Sequence, residues 1–297
     1  MAEMEPAQFP NYRDIPELKD LLLEDVISTG KHLGTGSFGS VVEVTVGGAV
    51  CAGKNIHLAL LDPQDEGTQK MVDRFISECR LMSKVRHPNI VQFMGLCFLE
   101  DNPHPMLVME RLDTNLDSIL EKKKNLPFPL MLHVLLDITK GLVYLHSLKP
   151  QPIVHRDLTA RNILLYSASM QAKIADLGNA MMIDEMRLSR TLSQAPGTTL
   201  YMPPEALQPE AKYNTMLDVF SFGHLALFAV LEEFPRDLLA ITYSDPLTDE
   251  LKARSEVERR ETYIRKLFAK LTKEHPITQL ILQCLHNVPT KRYFTII

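Results

Sequence analysis

The octapeptide HRDLTARN, His155 to Asn162, decides how this chain reads. It sets an acid, two arginines, a histidine and an amide close together. Asp157 precedes Asn162 by five residues, so in a loop the carboxylate and the amide can converge on one point. A carboxylate placed there can accept a hydroxyl proton, and an amide oxygen can bind a hard metal ion. Both residue types are also everyday turn formers. The surrounding sequence has to decide between a solvated turn and a reaction site.

Just upstream, PLMLHVLLDITKGLVYLHS carries Leu132, Leu135, Ile138, Leu142 and Leu145 on one stripe, the mark of a long amphipathic helix. Just downstream, the apolar run AKIA delivers Asp176 in IADLG, ahead of a glycine. A carboxylate at a strand end is a natural Mg2+ ligand. Near the start the pattern is extended, in VISTGKHLG, SVVEVTV and AVCAGKNI. Val42, Val44 and Val46 alternate with polar residues as in a half-buried strand, and Gly47-Gly48 suit a tight hairpin turn.

The period turns helical after Asp62-Pro63, with Val72, Phe75, Ile76, Cys79 and Met82 recurring on one face. HPNIVQFMGLCFL and PMLVMERL follow as strand-length apolar runs. Beyond Leu200 nearly every segment reads helical. Strands first and helices later predict an α+β fold of two lobes. The expected layout is a mobile arm over 1–24, a small antiparallel-sheet lobe with one helix over 25–112, and a larger helical lobe over 113–297. The hinge falls near Glu110 to Leu112.

Composition narrows the function. The 297 residues are 45% hydrophobic and 23% charged, ordinary for a soluble globular protein. A net charge of −5 gives no support to a nucleic-acid partner. Cys51, Cys79, Cys97 and Cys284 show no CxxC spacing and read as reduced, mostly buried thiols in a cytoplasmic protein. The N-terminus is acidic and broken by prolines, unlike a signal peptide. Val219 to Leu231 is apolar but interrupted by His224, too short for a membrane span and better suited to a core helix.

Three further features carry chemistry. GTGSFGSV places Gly34, Gly36 and Gly39 in a GxGxxGxV pattern, where backbone amides can approach phosphates without a Cβ in the way. A strand follows the glycines, not a helix, which argues against a dinucleotide-binding site. Lys54 in CAGK follows on the next strand, where its ammonium can reach phosphate oxygens. Glu78 lies beside the apolar stripe of the following helix and is a candidate to point inward toward Lys54.

In their order and spacing, these residues resemble the eukaryotic protein kinase domain, from about Val26 to Arg292. Pro203-Pro204-Glu205, Asp218 in DVFSFG and Arg292 in VPTKR match further elements of that family, with Arg292 the usual partner of Glu205. The resemblance implies in-line transfer of the ATP γ-phosphoryl group to a protein hydroxyl. Gly34, Gly36, Ser37, Phe38, Gly39 and Val41 would form the loop over the phosphates. Lys54, held by Glu78, would orient the α- and β-phosphates, and Asn162 and Asp176 would hold Mg2+. Asp157 would orient the acceptor hydroxyl. Ala52, Val41 and Leu164 would sandwich the adenine, with Met109 behind it and the backbone from Glu110 to Leu112 at its edge.

Departures from the family pattern also matter. Leu177 stands where phenylalanine is usual, in a stack expected to include His155, Met82 and Phe93. Gly53 replaces a valine or isoleucine, a change expected to soften the strand by about 1 kcal/mol. The chain ends five residues past Arg292, where the family continues into a last helix, so a shortened C-terminus is expected. Loss of catalysis, leaving a binding scaffold, is the rival reading, although the family's Lys and both Asp residues are all present.

The acceptor signals are mixed. Thr159 stands where serine/threonine kinases usually carry a lysine, and Arg161 matches the tyrosine-kinase form of the loop, whereas Thr198 in GTTLYMPPE matches the serine/threonine form. Tyr201 stands where tyrosine kinases usually carry tryptophan. This mixture, with ECRLMSKVRHPNIVQFMG, is most similar to the tyrosine-kinase-like group, and serine/threonine is the expected acceptor. Arg161 and Thr198 would both act beside Asp157. Ser189, Thr191 and Ser193 are expected phosphorylation sites facing Arg156, filled by an upstream kinase or by autophosphorylation in trans.

Overall fold

The computed structural model describes residues 15–36, 39–55, 66–99, 105–122, 126–182, 201–207, 214–231 and 277–292. Two compact units divide the chain. One is built from residues up to Leu112 together with Asp176–Asn179, the other from Asp113–Ala175 and from Ala180 onward.

In the first unit β1 (Val26–Gly36), β2 (Gly39–Val46), β3 (Ala49–Lys54), β4 (Phe93–Cys97) and β5 (Met106–Glu110) form one antiparallel sheet. Its strand order is β1-β2-β3-β5-β4. Gly47 and Gly48, at φ 55° and 83°, turn the β2–β3 hairpin where a side chain would be strained. Val44 is buried on one face among Cys51, Cys97, Met106 and Val108, and Val42 and Val46 pack beside it. The alternation read from the sequence is thus the core face of β2.

Gly53 lies on that same face. A Cβ there would collide with Met106 Sδ and crowd Val44. The methionine occupies the space a branched side chain would take, so the strand loses less packing than the sequence implies. The helix α2 (Glu66–Lys84) buries Val72, Phe75, Cys79 and Met82, and the turn Leu177–Asn179 packs against it.

Part of the arm expected over 1–24 is held in place. After the single turn α1 (Pro16–Lys19), with Leu18 buried, Leu23 N–H donates to the Leu96 carbonyl and Leu96 N–H to the Leu21 carbonyl, both at 2.7 Å. The segment therefore runs parallel along β4 at Leu22–Leu96. An uncovered sheet edge offers unpaired amides, and the apolar Leu21–Leu23 run suits it.

In the second unit, α3 (Leu116–Glu121) starts at Asn115, whose side-chain oxygen accepts from Ser118 N–H at 2.8 Å. The long helix α4 (Phe128–Ser147) buries Leu135, Ile138, Leu142 and Leu145 as expected. Leu132 is only half-buried, and Met131 and Val134 take core positions instead. Short strands β6 (Thr114–Asn115), β8 (Ile163–Leu165) and β9 (Ala172–Ile174) make one sheet. The strands β7 (Ile153–Val154) and β10 (Met181–Met182) make another.

The apolar helix α5 (Met216–Leu231) is buried from Met216 to Ala229, the core helix its sequence announces. The short α6 (Thr278–Cys284) packs on it. By length and composition α4 alone among the described helices could cross a membrane, yet half of its apolar window is buried inside this unit.

Candidate active site

The first unit assembles a charged cluster from three elements. Lys54, at the end of β3, donates from Nζ to Glu78 Oε1 and Oε2 at 2.9 and 3.0 Å, and to Asp176 Oδ1 at 3.1 Å. The Lys54 and Glu78 side chains are 11% and 5% exposed, too dry for water to screen the pair. Burial by itself would make Lys54 easier to deprotonate, but the two carboxylates outweigh it and raise its pKa above the ordinary value. Burial, with Asp176 nearby, pushes the Glu78 carboxyl up against the pull of Lys54. Glu78 thus does turn inward from the apolar stripe of α2.

Around this cluster lie the other candidate residues of the first unit. Gly34 and Val41 are cross-strand partners, as are Gly36 and Gly39 nearer the tip. Ser37 and Phe38 lie outside the described residues. Val41 pairs with Lys54 and Ala52 with Met109, which puts the apolar adenine candidates next to Lys54. Ala52 and Met109 are buried, whereas Leu112 is half-buried. The Glu110 amide donates to the Gln92 carbonyl at 2.9 Å, and Glu110 Oε1 accepts from the Gln92 amide at 2.6 Å. That amide is committed within the sheet, so an adenine edge would fall to the Glu110 carbonyl and to the Leu112 backbone.

The second unit holds its candidate residues through backbone and buried polar groups. Asp218, fully buried at the start of α5, accepts from the amides of His155 at 2.8 Å and Arg156 at 2.9 Å. Its Oδ2 also meets His146 Nε2 at 2.8 Å. Burial alone would raise the carboxyl pKa, but the hydrogen bond and charge of His146, with the amide of His155, hold it below its ordinary value. His155 Nδ1 accepts from the Asp157 amide at 3.2 Å, so Nε2 carries the proton it gives the Ala175 carbonyl at 2.9 Å. Arg156 is held at φ 68° and Asp176 at 63°, both left-handed and costly for side chains of this size.

Asn162 Nδ2 donates to the Asp157 carbonyl at 2.7 Å and approaches Asp157 Oδ2 at 3.3 Å. The two residues that opened the sequence reading are therefore joined. Arg161 Nε reaches Asp117 Oδ2 at 3.4 Å, with its side chain 65% exposed. Leu164 is half-buried on β8. Arg292 donates to Glu205 Oε2 at 2.9 Å and stacks 4.6 Å above Phe220, the pairing the family pattern implies. Thr198, Ser189, Thr191 and Ser193 lie outside the described residues.

Sequence reasoning passed over His146 and Asp117, and gave Asp218 no task. A histidine in the last turn of a helix carries no distinctive signal by itself. The four cysteines are free and buried; burial pushes Cys97 up to about 11 and Cys284 up to about 12, so neither is a thiolate at neutral pH.

Residues 27–295 match the family model described as protein tyrosine and serine/threonine kinase. Similar proteins include the seven transmembrane domain-containing tyrosine-protein kinase 1 of Dictyostelium discoideum, 34% identical over 71% of this chain and 30% of its own length. The serine/threonine-protein kinase TNNI3K of Mus musculus is 32% identical over 67% of this chain and 23% of its own length. The serine/threonine-protein kinase VIK of Arabidopsis thaliana is 34% identical over 70% and 46% respectively. This chain thus spans less than half the length of these relatives, of which TNNI3K and VIK are kinases of the tyrosine-kinase-like group. The chain belongs to the protein tyrosine and serine/threonine kinase family, with the antiparallel-sheet and helical lobes of that fold.

Proposed function

We propose that this kinase transfers the γ-phosphoryl group of ATP, with Mg2+, to serine or threonine hydroxyls of protein substrates. The observation that carries the reading is the buried Lys54–Glu78 pair with Asp176 on the same ammonium. A chain kept only as a scaffold has no need to hold a lysine and two carboxylates together in a dry setting. Such a cluster costs desolvation that hydrophobic side chains would avoid.

Lys54 would meet the α- and β-phosphates, with Glu78 fixing the direction of its ammonium. Asp157 would align the acceptor hydroxyl and take its proton. The residues offered for Mg2+ fit that ion: Asp176 supplies a carboxylate, and the amide of Asn162, tied through Nδ2 to the Asp157 carbonyl, leaves its oxygen on the other side of the planar group. Hard oxygen donors in small number are what Mg2+ takes from a protein when phosphates complete its shell. When bound, the ion would neutralise phosphate charge as the γ-phosphoryl group moves.

Serine/threonine selectivity rests on Thr198 and on Tyr201. Tyr201 is buried, with its carbonyl accepting from Ser221 Oγ at 2.8 Å. Arg161 favours the tyrosine reading by its position in the loop. It is turned to Asp117, which supports giving it less weight. Labelled ATP with a generic protein substrate, followed by phosphoamino-acid analysis, tests the assignment. Phosphoserine and phosphothreonine are expected, and phosphotyrosine alone would overturn it.

A further inference from the structure

The strand β1 departs from regular pairing at two places, between Ser28 and His32 and between His32 and Gly34, and the first is the wider. Ser28 pairs with Val44 and His32 with Val42, so Thr29, Gly30 and Lys31 bulge opposite the single residue Glu43. Gly30 takes φ 75°, which turns the chain so that both neighbours face Glu43. Thr29 Oγ1 donates to the Glu43 carbonyl at 3.1 Å and reaches Glu43 Oε1 at 3.3 Å. Lys31 Nζ donates to Glu43 Oε2 at 3.3 Å.

A second cation reaches the same oxygen from elsewhere. Arg111 Nη1, just past β5 between Glu110 and Leu112, lies 3.2 Å from Glu43 Oε2. The Glu43 side chain is only 14% exposed and that of Arg111 30%. Glu43 is the ladder partner of Ala52 and by alternation shares the sheet face of Val41 and Ala52. One carboxylate therefore joins the strand before the glycine-rich turn, the strand after it, and the segment whose backbone would read the adenine edge.

We infer that Glu43 and Arg111 are positioning residues for the nucleotide: their ion pair latches the glycine-rich hairpin to the Glu110–Leu112 segment and slows nucleotide release. Lone surface pairs contribute little. Here one poorly exposed carboxylate serves two cations and a hydroxyl, and such networks exceed the sum of their pairs. Neither side chain is among those proposed for the phosphates, the metal or the acceptor, so the latch acts on how long the nucleotide stays and not on transfer itself.

This inference rests on the proposed ATP-dependent activity, and its test separates the two. Dissociation of a fluorescent ADP from the Mg2+-loaded protein is followed by stopped flow, and KM for ATP is measured beside kcat. Glu43→Gln, which keeps the side chain's shape, is expected to speed release and raise KM about fivefold while kcat moves less than about twofold. Arg111→Met is expected to match it, and the double variant to be no worse than the weaker-binding single, as one shared interaction requires. Wild-type release rates in Glu43→Gln, or additive effects in the double variant, would overturn the latch. A wild-type protein that binds no ADP at all would overturn the nucleotide reading beneath it.

Discussion

The two units hold their functional groups by different means. In the first, side-chain charge does the holding: Lys54 sits between Glu78 and Asp176, and the two carboxylates keep its ammonium charged. In the second, a buried carboxylate grips main chain, with Asp218 fixing the amides of His155 and Arg156 while His146 backs it. A charge cluster orients one ammonium and fails as soon as one member is removed. A carboxylate on two amides sets the course of a whole loop, including the left-handed turn at Arg156. The difference predicts that variants in the first unit lose chemistry while keeping the fold, and variants at Asp218 lose fold and chemistry together.

The largest effect is expected for Lys54→Met. Phosphoryl transfer should fall by about three orders of magnitude with the cooperative melt retained, since positioning and charge neutralisation supply nearly all the catalysis in this chemistry. A melt that collapses with the activity would place Lys54 on the structural side of the comparison.

Asp218→Asn comes next, expected to cost about 3 kcal/mol of unfolding free energy in a denaturant titration at neutral pH. Its pH dependence has a definite sign. The folded carboxyl is held below its ordinary 3.8, so in the window beneath that value the unfolded chain takes up the proton first. The Asp218 contribution is therefore full at neutral pH and fades as pH falls from about 3.8 toward the lower folded value. Acid titrations of the wild type should be steeper there than those of Asp218→Asn. Parallel curves would contradict the main-chain grip.

The smallest effect is expected at Gly53. Gly53→Val should lower stability by about 1–2 kcal/mol, because Met106 Sδ already fills that space. Adding Met106→Ala should recover part of the loss in thermal melts. A Gly53→Val variant more stable than wild type would show that the methionine yields freely.

What the sequence revealed divides along the same line. Lys54, Glu78, Asp157, Asn162 and Asp176 were legible because their chemistry is local: each stands at a strand end, on a helix stripe or in a short polar loop. Asp218 was visible as a residue but not as a clamp, since the amides it holds are 63 and 62 positions away and carry no side-chain signature. Glu43 looks like any polar residue on an alternating strand. Only the bulge at Thr29–Lys31 and the arrival of Arg111 give it meaning. The placement of residues 15–24 along the sheet is hard to read from the sequence for a related reason. Leu18 and Leu21–Leu23 are too few to show a period, and their partner is the edge of β4, far along the chain. Gly53 read as a weakness because its compensating neighbour, Met106, lies on another strand.

The proposed function makes this chain an active phosphotransferase acting on serine and threonine. The most direct measurement compares wild type with Asp157→Asn in a labelled-ATP assay with Mg2+, hydrolysing the product to its phosphoamino acids. The account predicts label on serine and threonine in the wild type and at least a hundredfold less, on the order of what loss of a catalytic base removes, in the variant. Label at the same low level in both proteins, or on tyrosine alone, would contradict it.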